Sequence, residues 1–301
     1  MQLQHLEALV ALAADGSLRA SARRLGISQP ALSKRLRALE DELGVALVQR
    51  SPRGVVLTTF GEAVHRRACG VTLETTRLRE ELAQMRGCLE GQVRIAVSPV
   101  PAVLLLPQVL TRFTRRLPGV QVIVQDGLYP AVLPELRSGV IDLALGPQPP
   151  EGLAGGDLLI EPMFNNELVV AARRDHPLVA ARSMADLLQT RWLLHGPLSG
   201  PGSLMGPAFA ACGLAPPRAV VQSTSFTATI ALLQHSDLLS VLPRRLIDHR
   251  EPDHGLVALP LREVLPAWDI CLLSRAQVPL TPVARELAQL LRRLPLTRPH
   301  R

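Results

Sequence analysis

Apolar residues recur at helical spacing from Gln2 to about Thr58, in short runs interrupted by Asp15-Gly16, Gly26 and Gly44. That texture predicts short helices joined by tight turns. From Thr59 to Leu89 there is no Pro, and Val71, Leu78, Leu82, Met85 and Leu89 follow steps of seven, four, three and four, with Thr75 completing the heptads. One long helix over 59–90 with a seam suited to a partner helix is expected. After Glu90-Gly91, short β-branched runs alternate with helical patterns, which indicates an α/β domain. Strands are predicted at Gln92–Val97, Val120–Gln125 and Ile141–Leu145, with a helix from about Leu104 to Arg116 between the first two. A second set at Leu168–Ala172, Arg191–His195, Ala219–Gln222 and Leu239–Leu242 alternates with helices near Met184–Leu188, Leu204–Cys212 and Phe226–Gln234. The repeated rhythm predicts two lobes, and a last strand at Ile270–Leu273 precedes a helix from Pro282 to Leu294.

Within the first region, the run from Ser17 to Leu36 reads as helix, turn, helix. Ser17 and Ser28 are N-cap types before each helical run, Gly26 marks the turn, and Pro30 is tolerated because a first turn has no intrahelical donor to lose. Small Ala22 permits close approach, and Leu32, Leu36, Leu39 and Leu43 form an inward stripe on the second helix. At about 100° per residue the other side presents Pro30, Ser33, Lys34 and Arg37, with Ser28 and Gln29 at the amino-terminal end. A recognition helix meets base edges at that end. Gln reads adenine and Ser either base class, while Lys34 and Arg37 suit phosphates. The stretch Arg50-Ser51-Pro52-Arg53-Gly54 follows as a hairpin-like turn, and Arg50 and Arg53 can reach a narrow minor groove beside a major-groove contact.

Charge strengthens this reading by position more than by total. The chain carries 33 basic and 26 acidic side chains for a net charge of +7, yet Lys34 is its single lysine, so much of the excess reflects a general Arg bias. Apolar residues make up 47% and charged residues 20%, which excludes a disordered or fibrous chain. The most apolar window, Val93 to Leu110, is interrupted by Pro99, Pro101 and Pro107 and falls short of the ~20 residues needed to cross a bilayer. The amino terminus reads as an amphipathic helix of a cytoplasmic protein and not as an export signal. Cys69, Cys88, Cys212 and Cys271 are scattered without a Cys-x-x-Cys pair, and no two His share metal-ligand spacing on one predicted helix, so neither a metal, another cofactor nor a disulfide framework is expected.

Residues 3–61 resemble the LysR-type transcriptional regulators. The match rests on Gly16-Ser17, Ala22, Leu25, Ser28-Gln29-Pro30-Ala31-Leu32-Ser33, Leu39-Glu40, Leu43-Gly44, Leu47, Arg50, Arg53 and Leu57-Thr58 with Gly61. Val48 departs from the Phe usual there. Asp126-Gly127-Leu128-Tyr129-Pro130-Ala131-Val132, His235-Ser236-Asp237-Leu238-Leu239 and Pro243-Arg244 are also similar to the subgroup of aromatic-sulfonate and sugar-uptake regulators. The resemblance implies a winged helix-turn-helix at 1–58 and a dimerising linker helix at 59–90. It further implies a two-lobed, periplasmic-binding-protein-like α/β effector domain at 91–301, assembled as a homodimer or homotetramer on a double-stranded operator. Lobe I would take about 91–162 and 268–301, and lobe II about 163–267.

Three predicted strand ends lead into helix starts rich in hydroxyl, Gly or Pro residues: Ser98-Pro99-Val100-Pro101, Ser199-Gly200 with its neighbours, and Ser223-Thr224-Ser225-Phe226. Ligands of open α/β sheets sit outside the carboxyl ends of strands, where helix amino termini offer free N–H groups and favour an anion. In this family the corresponding loops line the inducer pocket, which implies polar contacts from Ser98 and Thr224. Val100, Pro101, Phe164, His195 and Phe226 are expected around them. Two other classes remain to be weighed. A solute carrier would need no basic winged head, and an enzyme would need a nucleophile and base that the chain does not pair.

Overall fold

The computed structural model describes residues 1–51, 54–150, 152–153, 155–195, 205–215, 219–248 and 255–294, with the backbone alone at Arg50, Ser51 and Gly54. The chain divides into two compact units that adjoin in sequence at Cys88-Leu89.

In the first unit, α1 (Leu3–Asp15), α2 (Leu18–Arg24) and α3 (Gln29–Leu43) precede a hairpin of β1 (Val48–Ser51) and β2 (Gly54–Leu57), and α4 (Thr59–Met85) follows. Leu6, Leu9 and Leu12 of α1 close on Ala22, Leu32, Leu36, Leu39, Leu47 and Ala68. Leu43 does not join them and is 39% exposed, because the helix ends there at Gly44 in a left-handed conformation. Ser28 caps α3 by accepting from Ala31 N at 3.3 Å. Ser17 holds the N-cap position of α2 but its hydroxyl makes no capping bond; its carbonyl accepts from the Ser21 hydroxyl at 2.9 Å.

Two short links tie the hairpin to the helices. The Glu40 carboxylate accepts from Leu47 N at 2.8 Å and Val48 N at 3.2 Å. Thr58 donates from its hydroxyl to Ala46 O at 2.7 Å while accepting from Gly61 N at 3.0 Å, which starts α4. Gly61 is there because α4 runs against the hairpin root: a Cβ would lie 2.0 Å from the Leu47 carbonyl oxygen. The long helix is shorter than the spacing predicts. It stops at Met85 and the chain turns through Gly87 at φ 90°, so Leu89 lies beyond it.

The second unit holds two five-stranded sheets. The first has the order β4 (Val120–Asp126), β3 (Gly91–Val97), β5 (Leu143–Pro147), β12 (Trp268–Arg275), β6 (Leu158–Asn166), with β3 parallel to β4 and β5, and β12 antiparallel to β5 and β6. On one face, α6 (Leu106–Arg116) and α11 (Pro282–Arg293) bury Phe113, Leu287 and Leu291, and on the other α7 (Val132–Ser138) buries Leu133 and Leu136. The helix expected from about Leu104 to Arg116 is α6, and a short unpredicted helix, α5 (Pro99–Leu104), precedes it; α6 starts afresh with Pro107 in its first turn. Proline lacks the N–H to continue a helix but fits such a start.

The second sheet has the order β11 (Leu256–Ala258), β7 (Leu168–Arg173), β10 (Leu238–Pro243), β8 (Arg191–His195), β9 (Ala219–Ser223). A 3-10 turn (Met184–Leu187) and α8 (Met205–Ala211) cover Trp192 on one face, and α9 (Phe226–Gln234) with α10 (Arg244–Asp248) covers Leu193 and Leu242 on the other. The chain passes between sheets at Glu167 and again over 259–267. The first passage lies later than the expected boundary near 163, because β6 runs on to Asn166, where it pairs with Trp268 of β12.

Candidate functional site

Each unit presents one concentration of functional groups. In the first, Leu32, Leu36 and Leu39 anchor one side of α3, and Ser28, Gln29, Pro30, Lys34 and Arg37 stand exposed at its start and opposite side, with Ser33 half-buried. The buried stripe therefore fixes the helix while five of the six polar-face positions stay open. The hairpin forms as expected, with Val48 paired to Leu57 and Ser51 to Gly54. Arg50 lies in β1 but its side chain is outside the described residues, and Arg53 is outside them altogether.

The long helix carries one heptad seam with two fates. Its first half, Val64 and Ala68, packs into the core of the head. Its second half, Val71, Leu78, Leu82 and Met85, is 47%, 55%, 48% and 71% exposed. Leu89, at 46%, shares the exposure but not the helix.

In the second unit a small cavity opens between the two sheets, lined by Ser98, Pro99, Val100, Leu128, Pro147, Asn166, His195, Phe226, Val241, Leu242, Pro243, Leu246, Trp268 and Ile270. Of the residues expected there, Ser98, Val100, His195 and Phe226 meet. Pro101 is buried within α5 without reaching the cavity. Phe164 belongs to the first sheet, where it pairs with Ile270, and lies under the Arg245 guanidinium, 5.3 Å from its ring centre; it is not among the lining residues. Ser223 is spent on its own turn, donating to Ser225 O and accepting from Ser225 N, and Thr224 points to solvent. Ser199 and Gly200 lie outside the described residues.

The cavity gathers polar atoms without partners. Ser98 Oγ, both ends of the Asn166 amide, His195 Nε2 and Trp268 Nε1 are buried and bond to nothing within the described chain. Ser98 is only 2% exposed and Asn166 0%. Such groups cost free energy unless something meets them. The other His195 nitrogen, Nδ1, lies 3.0 Å from Thr229 Oγ1, whose hydroxyl donates to Ser225 O at 3.0 Å. Burial pushes the His195 pKa below its ordinary value, with Asp126 opposing more weakly. Phe226 abuts the imidazole edge-on at 5.7 Å between ring centres. Gly127 lets β4 turn towards the cavity, since a Cβ would lie 2.5 Å from that of Ala96.

Sequence reasoning missed Asn166 and Trp268. Pro162 hides β6, because proline argues against a strand; here it sits where the register between β6 and β12 shifts. The available signal was the polar pair Asn165-Asn166 directly before a strongly apolar strand. Among the described residues no group of His, Cys, Asp or Glu could hold a metal, and no helix is long and apolar enough to cross a membrane. Burial raises the pKa of the Cys69, Cys212 and Cys271 thiols, the last to about 11, so these are poor thiolate nucleophiles.

A winged helix-turn-helix followed by a two-sheet α/β unit with a cleft between its sheets defines a DNA-binding protein with a sensor. Residues 3–62 match the bacterial regulatory helix-turn-helix protein, lysR family, and residues 86–295 match the LysR substrate binding domain. The chain belongs to the LysR family of transcriptional regulators, a family of regulators and not of enzymes. It is 32% identical over 297 residues to the HTH-type transcriptional regulator GalR of Pseudomonas putida, covering 97% of this chain and 74% of that one. It is 30% identical over 295 residues to the HTH-type transcriptional regulator GbpR of Azospirillum brasilense, covering 97% and 86%. The structure of full-length CbnR complexed with its target DNA superposes with a TM-score of 0.70 at 23% identity, over 97% of this chain and 99% of that one.

Proposed function

We propose that this LysR-type regulator reads its operator with the exposed start of α3, that it dimerises through the second half of α4, and that an effector occupies the cavity between the sheets. Gln29 and Ser33 take the base edges, Ser28 and Pro30 shape the helix start, and Lys34, Arg37, Arg50 and Arg53 take phosphates and the minor groove. The observation that carries the DNA reading is the polar face of α3 left open above a buried leucine stripe. In this division 1–58 is the head, 59–85 the coupling helix, and the remainder the effector domain, working in the cytoplasm where the DNA is.

The switch is a population shift. An effector that binds two arrangements of the sensor unequally moves the equilibrium between them, and only that difference reaches the DNA. A gel-shift with the DNA flanking its own coding sequence tests the reading. Gln29→Ala or Ser33→Ala is expected to cost ~1–3 kcal/mol on specific DNA and to relax base preference. Lys34→Ala is expected to weaken specific and random DNA alike and to flatten the salt dependence. Equal loss on both DNAs for all three variants would refute the assignment of the face.

A further inference from the structure

The cavity lining contains no Arg, Lys, Asp or Glu among the described residues, and 196–204, which follow His195 in sequence, hold no charged residue either. Ser98, Asn166 and Trp268 could donate to an anion or to a neutral oxygen equally well. His195 distinguishes the two. A hydroxyl has one proton, and Thr229 gives its own to the Ser225 carbonyl. When the Thr229 hydroxyl keeps that bond, the hydrogen between Thr229 Oγ1 and His195 Nδ1 comes from Nδ1, and this is the tautomer the proposal requires. A neutral imidazole that donates from one nitrogen presents a bare lone pair at the other, and that other, Nε2, is buried without a partner among the described residues, on a side chain that lines the cavity.

A carboxylate set against that lone pair would meet repulsion, in an otherwise apolar wall of Val100, Leu128, Phe226, Leu242 and Ile270 that offers no cation to offset the lost hydration. A hydroxyl or N–H satisfies Nε2, and the oxygen of the same or a neighbouring group can accept from Trp268 Nε1 and the Asn166 amide. Resting on the reading of this cavity as the effector site, we propose that its occupant is an uncharged small molecule with an apolar body that donates a hydroxyl or N–H hydrogen to His195 Nε2. The expectation of an anion, drawn from helix amino termini, gives way here: α5 has only six residues, and the first turn of α9 is capped by its own Ser225 at Ala228 N, 3.2 Å away.

The test uses the full-length protein labelled with nitrogen-15 at histidine, with His195 assigned by loss of its signals in His195→Phe. The Nδ1–H form is expected to dominate, and Thr229→Val is expected to release it towards a mixture. Three matched pairs then probe the cavity: 4-hydroxybenzyl alcohol with 4-hydroxybenzoate, cyclohexane-1,2-diol with cyclohexanecarboxylate, and methyl glucoside with glucuronate. The neutral members should bind at least tenfold more tightly, shift Nε2, and lose both effects in His195→Phe. A resident Nε2–H form overturns the proposal, as does a carboxylate that binds as tightly as its neutral partner while shifting Nε2. Binding that survives Val100→Trp and leaves Nε2 unmoved instead removes the effector from the cavity, which overturns the underlying reading as well.

Discussion

Asn166 is the residue at which stability and function oppose each other most clearly. Its amide is fully buried with neither end bonded among the described residues, which sets a desolvation cost that a ligand would relieve. Asn166→Leu keeps the volume roughly constant and removes that cost. It is expected to stabilise the second unit by ~1–2 kcal/mol in chemical denaturation while abolishing effector binding; destabilisation would mean the amide is satisfied. His195 makes a complementary statement about pH. Its folded pKa lies below its ordinary value because burial disfavours the charged ring, so on acidification the unfolded chain takes up a proton before the folded one does. Stability is therefore complete above the unfolded pKa of about 6.5 and falls as pH drops through it towards the lower folded pKa. Glu263 and Asp157, held low by Ser183 and Arg137, lose their contribution only in the acid range below that window. Thermal melts of the parent and His195→Phe should differ in slope across that window, and parallel slopes would refute the neutral, buried imidazole.

At the scale of elements, the legible parts were those whose pattern is local. Arg191–His195 and Phe226–Gln234 have the bounds the sequence predicts, since a short apolar run bounded by polar residues in one and apolar periodicity in the other leave little choice. The α3 face was legible for the same reason. What stayed hidden depended on partners distant in the chain. Strand β6 is specified by β12, a hundred residues away in sequence, and its Pro162 is accommodated only by the shift between them. Ser223 and Thr224 had the right chemistry for a ligand, but the local turn claims the first and solvent the second. The junction of hairpin and α4 is another non-local feature, and Gly61 is its tightest point. With a Cβ only 2.0 Å from Leu47 O, Gly61→Ala must displace α4 from the hairpin root. Overpacking of this kind costs ~1–3 kcal/mol. Denaturation should show that loss in the first unit, and DNA affinity should fall with it, because Thr58 and Gly61 join the hairpin to the helix that carries it; an unchanged midpoint would refute the close approach.

At the scale of the whole molecule, the question is how two heads come to act on one operator. The seam of α4 begins inside its own head at Val64 and Ala68 and then continues, still apolar, where its own unit does not cover it. On the reading proposed above, the partner is a second copy of the same helix, whose heptads match. Two heads joined in this way engage their half-sites as one ligand, so the second contact occurs at an effective concentration set by the linkage and the combined affinity exceeds that of a single head by ~10²–10⁴. Glu at both Leu78 and Leu82 would place four carboxylates in the paired seam, where they lack counter-charges and cost more than the apolar contact they replace. Both positions are exposed in the single chain, so the fold itself should tolerate the change. Sedimentation of Leu78→Glu/Leu82→Glu is expected to show monomers with an intact melting transition. Affinity for a two-half-site operator should fall by ~10²-fold or more, while binding to an isolated half-site stays within about twofold of the parent. Equal losses on both DNAs would mean that the substitutions damaged the head, and an unchanged oligomer would mean that the seam is covered by another part of the same chain.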